Sequence, residues 1–351
     1  MMRNRALDSP RPTTDRPDDL DLRTCVIVPR MSTPKRIHYV PAGYQKAWAA
    51  PHGSGKRVWV YPKDGKPPRY QSTKDTALES NRHSPELENA LNSYDSGGIA
   101  AIRQVFQGER GPESVEDARN LLGFMALLMT RTVAAERELQ KVFEVAGVEA
   151  GKQLVQDDKA WARACQHVAE ANPGKTIDFD TMRALGRDLE DNFKPQLTPK
   201  VAMLDSLMLT DKLFRHLCGM GWNLMRAGQG RFITSDNPVI EALFHPGGRV
   251  QLGGGIAQTN GRVFFPLSPR HCLVLSHQPL PNFVCPVSPA VVDSVNAWVA
   301  ICAESMLISE VKSATVAKLA IRFKDVNAVN RLDEQHLSSM FSQLWAQKTQ
   351  R

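Results

Sequence analysis

The chain has 351 residues, 42% of them hydrophobic and 23% charged, which is enough apolar material for a substantial core in a soluble globular protein. The longest unbroken apolar run, 121–129, is too short to span a bilayer and reads as a buried helix, and six scattered cysteines without C-x-x-C spacing read as reduced thiols in place of a structural zinc site. The formal net charge of +7 is local: Lys35 to Lys74 holds nine basic residues against Asp64 alone, a net of +8, while 1–30 and 75–351 nearly balance.

Residues 1–30 are rich in Arg, Asp, Pro and Thr without periodicity and are expected to be disordered. Met31-Ser32-Thr33-Pro34-Lys35 reads as a translation start just before the first ordered segment, so a single α+β domain is expected over 31–351. Ile37-His38-Tyr39-Val40-Pro41 follows, with His38 and Tyr39 available for proton transfer or for structural hydrogen bonds. The alternation Val58-Trp59-Val60-Tyr61, the turn Pro62-Lys63-Asp64-Gly65 and the return Arg69-Tyr70-Gln71 predict a β-hairpin. Its basic residues fit an anionic ligand or nucleic acid, or else lysines that guard an edge strand.

Ser84-Pro85-Glu86 is a helix start. Helices are expected over 85–107, broken or kinked near Gly97-Gly98, then over 113–147, 157–171, 179–192 and 198–219. Arg131 shares a helical face with Leu127 and Leu128 and should point inward, where a guanidinium needs an anion. Asp236 is the expected protein partner, unless a ligand supplies the charge. Gly174-Lys175-Thr176 resembles the end of a P-loop, but Ala169 stands at the upstream glycine position, so that motif is excluded.

Short strands are expected over 222–225, 231–234, 262–266, 272–276 and 306–311, with helices over 289–302 and 332–347. The junction Arg231-Phe232-Ile233-Thr234-Ser235-Asp236-Asn237-Pro238 runs from an apolar strand into polar turn formers. Those polar groups either bind a ligand or tie down their own turn. Gly253-Gly254-Gly255 lacks a dinucleotide-binding context, and His271 and His277 share a strand face without a third metal ligand. Asn296 is a polar group on an apolar helix face and needs a buried partner. Strands at both ends of a helical block imply an α+β fold, with the block packed on a mixed or antiparallel sheet built from N- and C-terminal strands.

His38-Tyr39-Val40-Pro41 with Tyr44 and Trp48, the strand at 58–61, Arg131-Thr132, Phe232 to Pro238, Phe265-Pro266-Leu267-Ser268-Pro269 and Asn296 resemble, in this order, the landmarks of domain-of-unknown-function family 4238. The resemblance covers roughly 36–312, and where the family pattern begins with two histidines this chain has Ile37. It directs attention to residues without supplying an activity. Three functional readings follow for a cytoplasmic protein with reduced cysteines and no cofactor. The first is a hydrolase or transferase for a phosphoryl or N-glycosidic bond of a nucleotide or nucleic acid. In it His38, Arg131 and Asp236 are catalytic, and Tyr39, Ser235, Asn237 and Asn296 bind substrate. The second is a non-catalytic module that binds a small anion or a partner. The third makes these polar residues a structural network.

Overall fold

The computed structural model describes residues 37–49, 56–80, 82, 85–187, 197–253, 255–326 and 334–349. The expectations for 1–30 and for Met31 to Lys35, and part of the helix expected over 179–192, lie outside these. The described residues belong to one compact unit, Pro34–Arg351.

The chain enters through a two-residue strand, β1 (Ile37–His38), a short helix, α1 (Ala42–Gln45), and a 3-10 turn at Lys46–Trp48. The hairpin comes next, as β2 (Arg57–Pro62) and β3 (Arg69–Ser72), and β4 (Leu78–Glu79) pairs antiparallel with β1. The helical block holds α2 (Pro85–Gly108), α3 (Val115–Arg131), α4 (Val133–Gln156), α5 (Asp158–Ala171), α6 (Phe179–Arg187), α7 (Pro199–Met208) and α8 (Thr210–Cys218). The C-terminal part is β5 (Gly221–Ala227), β6 (Thr234–Ser235), β7 (Ile240–Phe244), β8 (Val250–Leu252), β9 (Gly261–Ser268), β10 (His271–Ser276), β11 (Val284–Val287), α9 (Pro289–Cys302), β12 (Met306–Ser309), α10 (Ala314–Arg322) and α11 (Glu334–Thr349).

Two main sheets result. The larger runs β11-β5-β10-β9-β7-β8, antiparallel except for the β11–β5 pair. The smaller runs β3-β2-β12-β6, so the N-terminal hairpin and two C-terminal strands share a sheet, as the sequence implied. The fold is α+β.

Side-chain alternation explains how the larger sheet is covered on both faces. On β9 and β10, Val263, Phe265, Leu273 and Leu275 point to a core shared with α2 and α3, and Phe264, Cys272 and Val274 point to a second core under α9. The first core also takes Tyr44, Trp48, Val58 and Val60, and the second takes Tyr61, Val292, Val295 and Val299.

Three expected boundaries moved. Gly97 and Gly98 do not break α2: a Cβ at Gly98 would lie 2.2 Å from Phe124 Cβ, so glycine is there to let α2 and α3 approach. The expected helix 113–147 is two helices, because Thr132 adopts an extended backbone and caps α4 through its hydroxyl, which accepts from Ala135 N at 3.3 Å. The stretch expected as 198–219 likewise divides, into α7 and α8. Among the described residues no helix is long and apolar enough to cross a membrane.

Candidate functional site

The polar residues singled out from the sequence fall into two groups on either side of the α3–α4 break. Around Arg131, a 4% exposed side chain, the partner is Asp95 of α2, with contacts of 2.8 and 3.1 Å to its two carboxylate oxygens. The expected Arg131–Asp236 pair does not form. Arg131 closes the last turn of α3, and α3 packs along α2, so the nearest carboxylate comes from that neighbouring helix. The Arg131 guanidinium also lies over the Phe124 ring at 5.9 Å, and its Nε makes no hydrogen bond among the described residues. Burial raises the Asp95 carboxyl above its ordinary range, opposed by Arg131, and His38 lies near enough to act in the same direction as Arg131. His38 itself contacts Thr76 O through Nδ1 at 3.1 Å.

A second arginine supports the same break. Arg82 donates to Arg131 O at 2.8 Å, pairs with Glu79 and Glu136, and lies 5.3 Å from the centre of the Tyr39 ring. Burial lifts Glu136 to about 7, with Arg82 opposing and Glu79 adding to the rise.

Asp236, 1% exposed, faces the turn between α9 and β12 instead. One carboxylate oxygen accepts from Glu304 N at 2.9 Å; the other accepts from Ser305 N at 2.6 Å, Ser305 Oγ at 2.5 Å and Met306 N at 3.2 Å. Burial pushes this carboxyl up, against donors that favour its charged form. Tyr39 is buried beside it and hydrogen-bonds Ser305; desolvation first, then the Asp236 charge, holds its phenol well above the ordinary range.

The remaining predicted residues are also satisfied by the protein. Ser235 Oγ donates to Asn237 O at 2.9 Å and accepts from Asn237 N at 3.1 Å, the self-contained turn that Ser and Asn favour. Asn296 accepts from Ile233 N and donates to Arg231 O, both at 2.9 Å, so its amide takes the place of a strand partner for 231–233. That is why strand pairing in this segment is confined to β6 and the expected strand 231–234 is shortened. Tyr44 bridges Thr234 Oγ1 at 2.8 Å and Pro266 O at 2.7 Å, and Trp48 Nε1 donates to Phe232 O at 3.2 Å. The sequence landmarks therefore bond largely to one another.

Asn237 borders a cleft. Its amide donates to Cys302 O at 3.0 Å and its Oδ1 accepts from Thr132 Oγ1 at 3.4 Å. The cleft is small, about 50 Å³, and partly open to solvent, and is lined by Glu138, Glu241, Asn237, Met129 and Val239 among others. His38, Arg131 and Asp236 do not line it.

Sequence reasoning missed Asp95, Arg82, Glu136 and Ser305. Asp95 and Glu136 sit among ordinary helical charges, Arg82 in a polar connection and Ser305 before a strand, so nothing local marks them. His271 and His277 do not act together: His271 contacts Ser268 Oγ and Glu109, and His277, beyond the end of β10, contacts Ile256 O. No group of side chains suited to a metal occurs among the described residues.

The basic stretch also divides. Lys63 is 3% exposed and donates to Ala300 O, Ala303 O and Val326 O, closing the C-terminal end of α9, so it contributes nothing to the surface. Lys56, Lys74 and Arg103 are exposed around the half-buried Lys46. Burial first, then these three neighbouring charges, lowers the Lys46 ammonium from its ordinary value.

No curated protein and no solved structure matches the chain. A family model matches over residues 36–313, the span within which the landmarks from His38 to Asn296 bond to one another, and the chain belongs to that family, described as a protein of unknown function (DUF4238).

Proposed function

We propose that this protein is a non-catalytic binding module for an anionic polymer, nucleic acid being the candidate, and that the buried landmark residues are the framework that holds its binding surface. The observation that carries the reading is that Lys56 and Lys74 are exposed where the hairpin ends meet, Thr73 N donating to Lys56 O at 2.8 Å, with Lys46 and Arg103 within electrostatic reach. Like charges held together raise the energy of the free protein and are relieved by phosphates, with release of counterions. What argues against catalysis at His38, Arg131 and Asp236 is that Asp95 takes Arg131, four donors saturate Asp236, and none of the three lines the cleft. Fluorescence anisotropy with a labelled oligonucleotide tests it: the double variant Lys46→Glu/Lys74→Glu should bind at least about tenfold more weakly than the wild type. Equal binding by the two proteins would refute the reading.

A hydrolase or transferase acting on a phosphoryl or N-glycosidic bond is the second reading, and it rests on the cleft. Glu138, Glu241 and Asn237 offer two carboxylates for acid–base work and a carboxamide for orientation. Its test is release of free base or inorganic phosphate from nucleotides. Turnover that disappears in both Glu138→Gln and Glu241→Gln would establish it in place of the first.

A further inference from the structure

Two aromatic rings meet on one face of the hairpin, where Trp59 packs at the margin of the second core and Tyr70 lies at the open edge. Register places Trp59 of β2 opposite Tyr70 of β3, and β3 is the edge strand of its sheet. Because successive side chains alternate, Arg57 and Trp59 share a face while Val58 and Val60 are fully buried on the other. The two rings lie with centroids 5.4 Å apart, tilted by 35°. Tyr70 is 38% exposed and Trp59 half-buried. Arg57 sits over the Tyr70 ring at 5.9 Å and Lys312, from the segment after β12, over the Trp59 ring at 5.3 Å.

We propose that the Trp59–Tyr70 pair, flanked by Arg57 and Lys312, is a stacking platform for the bases of a single-stranded nucleic acid. This deepens the polyanion reading above and depends on it. Flat apolar rings and cations in alternation match a polymer that alternates flat bases with phosphates; a polyphosphate has no ring to stack, and a duplex keeps its base faces hidden. Lys56 immediately precedes Arg57, and alternation turns it to the opposite face from Arg57 and Trp59, so the platform takes its charge from Arg57 and Lys312. Edge position also fits, since among the described residues no further strand pairs beyond β3. Stacking tolerates any base, so the platform binds without sequence preference and draws its strength jointly from rings and charge.

The test uses the full chain with a labelled oligothymidine of about 16 nucleotides, a duplex of equal length and inorganic polyphosphate. The wild type should bind the single strand about fivefold or more tightly than the duplex. Tyr70→Ala should lose about fivefold or more for the single strand while leaving polyphosphate binding within about twofold, and Tyr70→Phe should retain the affinity. Tyr70→Leu, which keeps apolar bulk without a π face, should behave as Tyr70→Ala and guards against a folding defect. Unchanged single-strand affinity in Tyr70→Ala and Tyr70→Leu, with loss in Lys46→Glu/Lys74→Glu, would overturn the platform and leave the polyanion reading standing. Equal loss for polyphosphate and single strand in the Tyr70 variants would also overturn it. Failure of the wild type to bind any of the three probes would overturn both.

Discussion

Asp236 holds three successive residues, Glu304 to Met306, through four hydrogen bonds, and no solvent reaches it to replace them. Removing a buried acceptor strands its donors, so Asp236→Ala should cost about 3 kcal/mol or more and lower the melting temperature by roughly 6 °C or more. Scanning calorimetry checks it; an unchanged transition would mean the carboxylate is held for another purpose. Arg131 and Asp95 behave as a coupled pair. Either Arg131→Leu or Asp95→Leu alone should cost about 3 to 5 kcal/mol by leaving a buried charge unpaired, and the double variant should recover most of it, which a double-mutant cycle in denaturant measures. Glu136 gives a pH dependence with a definite sign. Its pKa is about 7 when folded and 4.5 as a free side chain, so the folded state binds the extra proton between these values. The stability is fully present below about pH 4.5 and lost as pH rises through about 7, at most about 3 kcal/mol. Comparison of wild type with Glu136→Gln by urea unfolding at pH 5 and pH 8 should show the wild type losing stability that the variant keeps.

Elements explain which residues meet. Gly98 is where α2 and α3 come closest, so Gly98→Ala should destabilise by about 1 to 3 kcal/mol despite alanine's better helix propensity, because its Cβ collides with Phe124 Cβ. Thermal unfolding of that single variant checks it, and a more stable protein would contradict the packing described. Element type and the shared N- and C-terminal sheet were legible because the 3.6 and 2 residue periods survive in the chain. The inward face of Arg131 and the need of Asn296 for a partner were legible for the same reason. Partner choice was not. Whether a buried guanidinium meets Asp95 or Asp236 depends on which helix lies beside α3, and periodicity contains no such information. The break at Thr132 was hidden because the apolar pattern runs across it, and only the hydroxyl cap marks the boundary. The glycines in α2 read as a break or kink in the sequence, and only the neighbouring Phe124 shows that they permit a close approach.

At the scale of the molecule, the larger sheet divides two cores, and the landmarks from His38 to Asn296 tie the N-terminal strands, the α3–α4 break and the C-terminal strands to each other. Lys63 adds to this by joining the end of β2 to α9 and to Val326. On the proposed reading, the charge that meets a partner is that of Lys46, Lys56, Lys74 and Arg103, whose three outer members act electrostatically on Lys46. The salt dependence of oligonucleotide binding measures that charge directly. Four phosphate contacts to a single strand predict a slope of log affinity against log salt near −3, reduced to about half in Lys46→Glu/Lys74→Glu. A slope near zero, or one unchanged by that double variant, would contradict the account.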